Sequence, residues 1–294
     1  MNGTIKNLRL FTADPAGPSA EVPALPALPP EPTALANREL LRPPTYGRGH
    51  HHLEPYSAAW FDELGRKRYA RHGRWLPAAL EFGRHPGESI LLIGPGVGCD
   101  AARYLEHGCE VTVAATAADH PDVVRTNLAR RGLAADVVTV AGPPYPFPAG
   151  TFDVVVLNAL HAPGPVTPAA ADEIGRVLKA GGKLIGLFPA RLDAGYWQDL
   201  LLPLQRYYWH RPPDPTAGPK TTRKELAGVF ARFGDHRVRK RHLRRSELPH
   251  PWRVLPLAVL ERLVGRVLVF KAFKPLPPAR PAAAGARTHD QLAA

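Results

Sequence analysis

The sequence predicts an α/β fold: a doubly wound, mostly parallel, seven-stranded sheet flanked by helices. Three observations predict it. Short apolar runs alternate with segments whose apolar residues recur at helical spacing, the pattern of successive strand–helix units. The first such run, Ser89-Ile-Leu-Leu-Ile93, is apolar almost throughout, as suits a strand buried on both faces. It leads at once into the glycine-rich turn Gly94-Pro95-Gly96-Val97-Gly98 and then into a helical segment, and a tight glycine turn between strand and helix is the opening unit of such sheets.

The elements follow in order. Residues 1–45 contain PAGPSAEVPALPALPPEPTALA, where proline removes amide donors and fixes φ, so this segment is expected to be extended or disordered. Ser57 to Phe82 carries Trp60, Phe61, Leu64, Leu76 and Leu80 at helical spacing, with breaks at Gly73 and before Pro86-Gly87. After the strand at 89–93 come a helix at 99–107, a strand Glu110–Ala115, a helix at 120–131 closed by Gly132, and strands Asp136–Val140 and Phe152–Asn158. A helix at 169–179 should stop at Gly181-Gly182, where glycine tolerates the left-handed cap conformation. A strand Lys183–Phe188, a helix at 222–233 and strands at 236–243 and 265–273 complete the set. The proline-rich end, 276–294, reads like the first segment, which leaves one domain over 46–275.

Composition narrows the function classes. The chain has 294 residues, 45% of them hydrophobic, enough for a sizeable core. Its formal net charge of +12 favours acidic partners such as nucleic acid or anionic lipid, without bearing on the fold. Two cysteines, Cys99 and Cys109, give no disulfide framework. The first residues lack the apolar core of a secretory signal, no apolar run is long enough to span a bilayer, and a cytoplasmic location is the expectation. His50-His51-His52 reads as a solvated linker and not as a metal site, because consecutive histidines cannot all face one ion. Cys99, at a helix start, reads as a small apolar filler.

The glycine turn carries the chemistry. Glycines there let a ligand approach the backbone closely, and the spacing differs from the dinucleotide pattern G-x-G-x-x-G, with Cys99 following the third glycine directly. Several segments then occur in one order: Arg68-Tyr69 and His72 before the first strand, LLIGPGVGCD (91–100), GCEVTVAATA (108–117), PFPAGTFDVVVLNALHA (146–162), DEIGRVLKAGGKLIGL (172–187), PKTTRKELAGVFARFG (219–234) and GRVLVFKAFKP (265–275). Together they resemble the class I S-adenosylmethionine-dependent methyltransferases of the type-11 group over residues 47–275. The resemblance implies a Rossmann-like sheet with its seventh strand antiparallel. It also implies S-adenosyl-L-methionine as cofactor, with Gly94, Pro95, Gly96, Val97, Gly98, Asp100, Ala115, Thr116 and Asn158 around it.

Three carboxylates of that pattern are missing: their positions hold Leu92, Ala115 and the run Ala141-Gly-Pro-Pro144. The ribose contact, at Ala115, matters most, since each charge-assisted hydrogen bond is worth roughly 1.5–3 kcal/mol. Asp100, Thr116 and Asp119 are the candidate substitutes. For catalysis, Asn158 ends the fourth strand beside the expected methyl donor. His161 is the candidate base, because its ordinary pKa is near neutral. Tyr69, His72, Trp197 and Tyr208 are the candidate acceptor contacts, with 189–220, including Tyr207 and Trp209, as the segment that sets acceptor choice.

Two functions are therefore expected in alternative: methylation of a small molecule, or a non-catalytic relative of these enzymes acting as a binding or scaffold protein. The basic run Arg237–Arg245 reads as a charged edge strand; phosphate binding on nucleic acid or anionic lipid is the other reading.

Overall fold

The computed structural model describes residues 31–41, 52–70, 72–161, 166–201, 219–245, 248 and 250–277. Its strands are β1 (Ser89–Ile93), β2 (Glu110–Ala115), β3 (Asp136–Thr139), β4 (Phe152–Asn158), β5 (Leu178–Pro189), β6 (Gly234–Arg241) and β7 (Val267–Phe273). They form one sheet in the order β3-β2-β1-β4-β5-β7-β6. All neighbours are parallel except β7, which runs antiparallel to both β5 and β6. This is the expected Rossmann-like sheet, with its chain reversal between β1 and β4.

Strand alternation sorts the core into two layers. Ile90 and Leu92 of β1, with Val111, Val113 and Ala115 of β2, face one helical layer; Leu91, Ile93 and Ala114 face the other. The first layer is α3 (Leu76–Leu80), α4 (Cys99–Glu106) and α5 (Pro121–Arg130), which supply Leu80, Tyr104, Val124 and Leu128. The second is α6 (Pro168–Val177) and α8 (Arg223–Val229), where Ile174 and Leu226 pack with the Phe188–Phe230–Phe270 ring cluster. Helix starts follow local chemistry: Thr222 and Glu225 form a reciprocal capping box for α8, and Ser57 accepts from Trp60 N to start α2 (Ala58–Tyr69).

The structure departs from the sequence reading at several points. Residues 32–39, inside the segment expected to be extended or disordered, form helix α1 (Pro32–Glu39). Proline opens it at the first turn, where its missing amide is no loss. Leu35, Ala36 and Leu40 anchor it on Tyr56, Trp60, Phe61 and Leu64, so tertiary burial decides a helix that local pattern does not announce. Helix α6 ends at Val177 and not near 179. Gly181-Gly182 lies within β5, where the register to β4 shifts between Phe152 and Val154, so these glycines form a bulge and no helix cap. Helix α8 is shorter than expected, and His242, at φ 66, stops β6 at Arg241.

Two helices near the C-terminal part of the sheet went unpredicted as such: α7 (Ala194–Leu201), inside the expected acceptor segment, and α9 (Leu257–Val264). Both are tied to β6 through one side chain, since Lys240 Nζ donates to Leu192 O (2.5 Å) and Leu263 O (2.6 Å). Residues 1–30, His50, His51, the stretch 202–218 with Tyr207, Tyr208 and Trp209, and the segment 278–294 lie outside the described residues.

The break predicted at Gly73 is real. Gly73 N donates to Ala70 O (2.7 Å), and a Cβ at this position would collide with the Arg68 carbonyl group. We expect Gly73→Ala to destabilise by roughly 3 kcal/mol in chemical denaturation. Gly132→Ala, at φ 65 with open space around it, should lose only about 1–2 kcal/mol.

Candidate functional site

The carboxyl ends of β1 and β4 flank the point where strand order reverses, and open α/β sheets bind ligands in that crevice. The glycine turn leaves β1 there. Gly94, Gly96 and Gly98 have φ values of 73, 59 and 85, left-handed conformations that favour glycine. Gly98 caps α4, and its amide closes the turn onto Pro95 O at 3.0 Å. The turn is held from below as well: Asn127 of α5, fully buried, donates to Val97 O at 2.7 Å.

Asp100 stands at the centre of a buried polar cluster. Arg68 donates to it through two nitrogens, at 2.8 and 2.7 Å, in the bidentate geometry that makes such pairs strong and directional. Tyr69 donates its hydroxyl to the same carboxylate at 2.8 Å, and Asn158 Nδ2 lies at 3.4 Å. Arg68 also reaches α1, donating to Glu39 O at 2.6 Å and lying 3.2 Å from the Glu39 carboxylate. Burial works against the Arg68 charge, but Asp100 and Glu39 outweigh it and hold the guanidinium firmly protonated.

Glu39 is the residue the sequence did not single out. Its Oε2 accepts from Val97 N at 3.2 Å, and it occupies the space a Cβ on Gly96 would enter. The His161 ring flanks the same space, 3.3 Å from that Cβ position, and its Nε2 is 3.8 Å from Glu39 Oε2. The bare glycine surface is thus covered by two side chains of the chain itself, one from α1 and one from the turn after β4. Leu92, by contrast, faces the core layer of α3–α5 and takes no part in this. The signal that could have exposed Glu39 is its place one turn after Leu35 on a short proline-opened helix.

The remaining candidates are placed as follows. Ala115 is fully buried at the end of β2, and Thr116 forms a capping box with Asp119, whose Oδ2 accepts from both Thr116 N and Oγ1 at 2.8 Å. Asp119 therefore keeps one oxygen, Oδ1, buried and without a hydrogen-bond partner. Burial raises its pKa, against the Thr116 hydrogen bonds and the charge of Arg38 on α1. Asn158 and Asp100 are engaged with each other and with their neighbours. Tyr69 has its hydroxyl on Asp100 and its ring against Phe82, so it braces the cluster.

His72 lines a cavity of about 200 Å³ with Glu39, Lys67, Arg68, His242 and Arg244. Trp197 packs with Ala194 of α7 and Leu260 of α9, away from the turn. Tyr208 lies outside the described residues. Burial, with the charges of Arg68 and Arg38, pushes His161 well below its ordinary pKa, so it is neutral at pH 7 and a weaker proton acceptor than an exposed histidine.

Residues 90–182, from β1 into β5, match the family described as a methyltransferase domain. Over this stretch the chain is similar to methyltransferase domains. Solved structures repeat the fold at low identity. YcgJ from Bacillus subtilis aligns over 69% of this chain and 99% of its own, at 14% identity and a TM-score of 0.51. A chain from the complex of the Haloferax volcanii Trm112 methyltransferase activator with its methyltransferase aligns over 74% and 97%, at 15% identity and a TM-score of 0.51. No curated protein matches the chain. Glu39 and Arg68 both precede the matched stretch of the methyltransferase domain.

Two measurements test this cluster. Asp100→Asn leaves the buried Arg68 with only Glu39 as a charged partner, and we expect a loss of about 3–5 kcal/mol in urea denaturation. The second concerns pH. Burial raises the Glu39 pKa, against the pull of Arg68 and with the Asp100 charge adding to the rise. A carboxyl group whose folded pKa is raised contributes its full stability below its ordinary value of 4.5 and loses it as pH climbs through the folded value. The stability of wild type relative to Glu39→Gln should therefore fall as pH climbs above 4.5; a flat difference would contradict this assignment.

Proposed function

We propose that the domain is an S-adenosylmethionine-dependent methyltransferase acting on a small molecule, and that the arrangement described is its closed form, with Glu39 seated where the cofactor would lie. The observation that supports this is a pair of buried ring nitrogens without hydrogen-bond partners beside Gly96, those of His161, with a further such atom, Asp119 Oδ1, just past the end of β2. Buried polar atoms are normally satisfied, and these fit a polar ligand.

The residues fit the cofactor in kind. Asp119 offers a free carboxylate oxygen four residues beyond the missing acid of β2, suited to ribose hydroxyls. The Val97 amide and the Arg68 guanidinium, which now hold the Glu39 carboxylate, suit the carboxylate of the methionyl group. They fit in space only when Glu39 withdraws, because its carboxylate covers Gly96. When bound, the cofactor supplies an electrophilic methyl group. The chain's own part is then to align the acceptor and exclude water. His161, neutral and beside Gly96, would hydrogen-bond the acceptor or take a proton from it.

A second reading is favoured by the same Glu39 and by the absence of acids at Leu92, Ala115 and 141–144: a domain that keeps the fold without the reaction and serves as a binding or scaffold protein. Calorimetric titration with S-adenosylhomocysteine separates the two. On the first reading wild type binds weakly, while Glu39→Ala, or a chain lacking residues 1–41, binds at least about tenfold more tightly, since one lost competing carboxylate contact is worth about 1.4 kcal/mol or more. If both variants keep a cooperative unfolding transition yet take up no ligand at millimolar concentration, the enzymatic reading fails and the scaffold reading stands.

A further inference from the structure

Helix α9 is apolar on two sides. Its Leu260 and Val264 pack inward with Ala194 of α7, Leu243 and Leu248. Its outer side presents Val259 at 52% and Leu263 at 61% exposure, one turn apart, and the turn before it presents Val254 at 84% and Leu255 at 46%. The neighbouring α7 adds Tyr196 and Leu200. Among the described residues, seven of the nine exposed large apolar side chains fall within 192–200 and 254–263, so the exposure is concentrated in one region. Isolated exposed apolar residues need no explanation, but a concentrated group marks an interaction surface.

Arginines outnumber acids around it, although Asp199 of α7 is also exposed. The one acid of α9, Glu261, is turned toward the end of β6, where it accepts from His242 N at 2.9 Å and pairs with Arg241 at 3.1 Å. Arg262 is exposed on the helix itself, Arg253 stands before it, and Arg223 of α8 donates to Arg262 O at 3.3 Å. Among the described residues, Arg262 and Arg223 have no carboxylate within ion-pair distance. Aliphatic tips between arginines whose stems can lie along an apolar phase fit a bilayer boundary, with Tyr196 as an amphipathic ring at its edge. Nucleic acid would call for stacking rings in place of valine and leucine.

We propose that the outer face of α9 and α7 docks this protein on an anionic lipid surface. The helix is eight residues long, so binding is peripheral and reversible, with the aliphatic and the arginine contributions both required. The face lies at the same edge of the sheet as the glycine turn, because β7 begins where β5 ends, Val267 opposite Pro189. The inference is independent of whether the cofactor site is active.

Co-sedimentation of the full chain with vesicles tests it. We expect binding to vesicles of equal parts phosphatidylcholine and phosphatidylglycerol, none to phosphatidylcholine alone, and weakening as salt is raised. The double substitution Val259→Glu with Leu263→Glu should reduce binding about tenfold or more with unchanged circular dichroism, and Arg253→Gln with Arg262→Gln should do likewise. Since all four side chains are at least partly exposed, neither pair should disturb folding; if one does, the other decides. The proposal is overturned by absence of vesicle binding, by equal binding to neutral vesicles, or by binding that ignores both pairs of substitutions. It is also overturned if the wild type is a dimer in solution that Val259→Glu with Leu263→Glu dissociates, since a second copy would then own this face. Retention by polyuridine RNA with the same sensitivity to substitution, in place of vesicle binding, would overturn it too.

Discussion

One buried ion cluster organises this molecule. Arg68 lies without solvent contact between the carboxylates of Asp100 and Glu39, and these two acids belong to different parts of the chain: the helix after the glycine turn and the helix that precedes the domain. A buried charge left unpaired is expensive, so the guanidinium fixes both partners at once. Through Asp100 it orients α4 relative to α2, and Tyr69 and Asn158 settle around the same carboxylate. Through Glu39 it draws α1 over the end of β1. The covering of Gly96 by Glu39 is therefore a consequence of charge pairing as much as of apolar contact.

The apolar contribution is nevertheless large. Trp60, Phe61 and Leu64 of α2 form a floor on which Leu35, Ala36 and Leu40 of α1 rest, and Val97, Cys99 and Val123 complete it from the turn and from α5. Cys99 is thus the small apolar filler that its sequence context suggested, with burial first, and the nearby Glu39 charge after it, raising its thiol pKa far from the reactive range. The two contributions act on different atoms of the same helix. Aliphatic side chains hold the body of α1, while its last charged residue reaches the backbone amide of Val97.

Legibility followed the range of the interactions. The strands and their mostly parallel sheet could be read because buried parallel strands announce themselves as continuous apolar runs between helical segments, as in Ser89–Ile93 and Phe152–Asn158. The glycine turn could be read because left-handed backbone at 94, 96 and 98 demands that residue type. Boundaries failed where local and long-range signals compete: Gly181-Gly182 looks like a helix cap in isolation and becomes a bulge only because Lys183 must pair with Val154. Glu39 was invisible for the same reason. Its partners are 29, 58 and 61 positions away at Arg68, Val97 and Asp100, and no spacing rule links a helix in a proline-rich segment to a turn so distant. Trp197 shows the converse: an aromatic in the expected acceptor segment looked functional, yet its neighbours on α9 claim it for packing.

Lys240 has a consequence of its own. Its ammonium group is bonded to the carbonyl ahead of α7 and to a carbonyl in the last turn of α9, and burial, with the Arg223 charge, lowers its pKa. A single nitrogen on the outermost strand thereby acts as a rivet for two helices separated by more than fifty residues of chain. Capping that nitrogen, as acylation of a lysine would, removes its charge and leaves one N–H for two carbonyls. One helix or the other would come adrift, and the outer margin of the sheet would lose part of its buttress while the strands at its centre kept theirs.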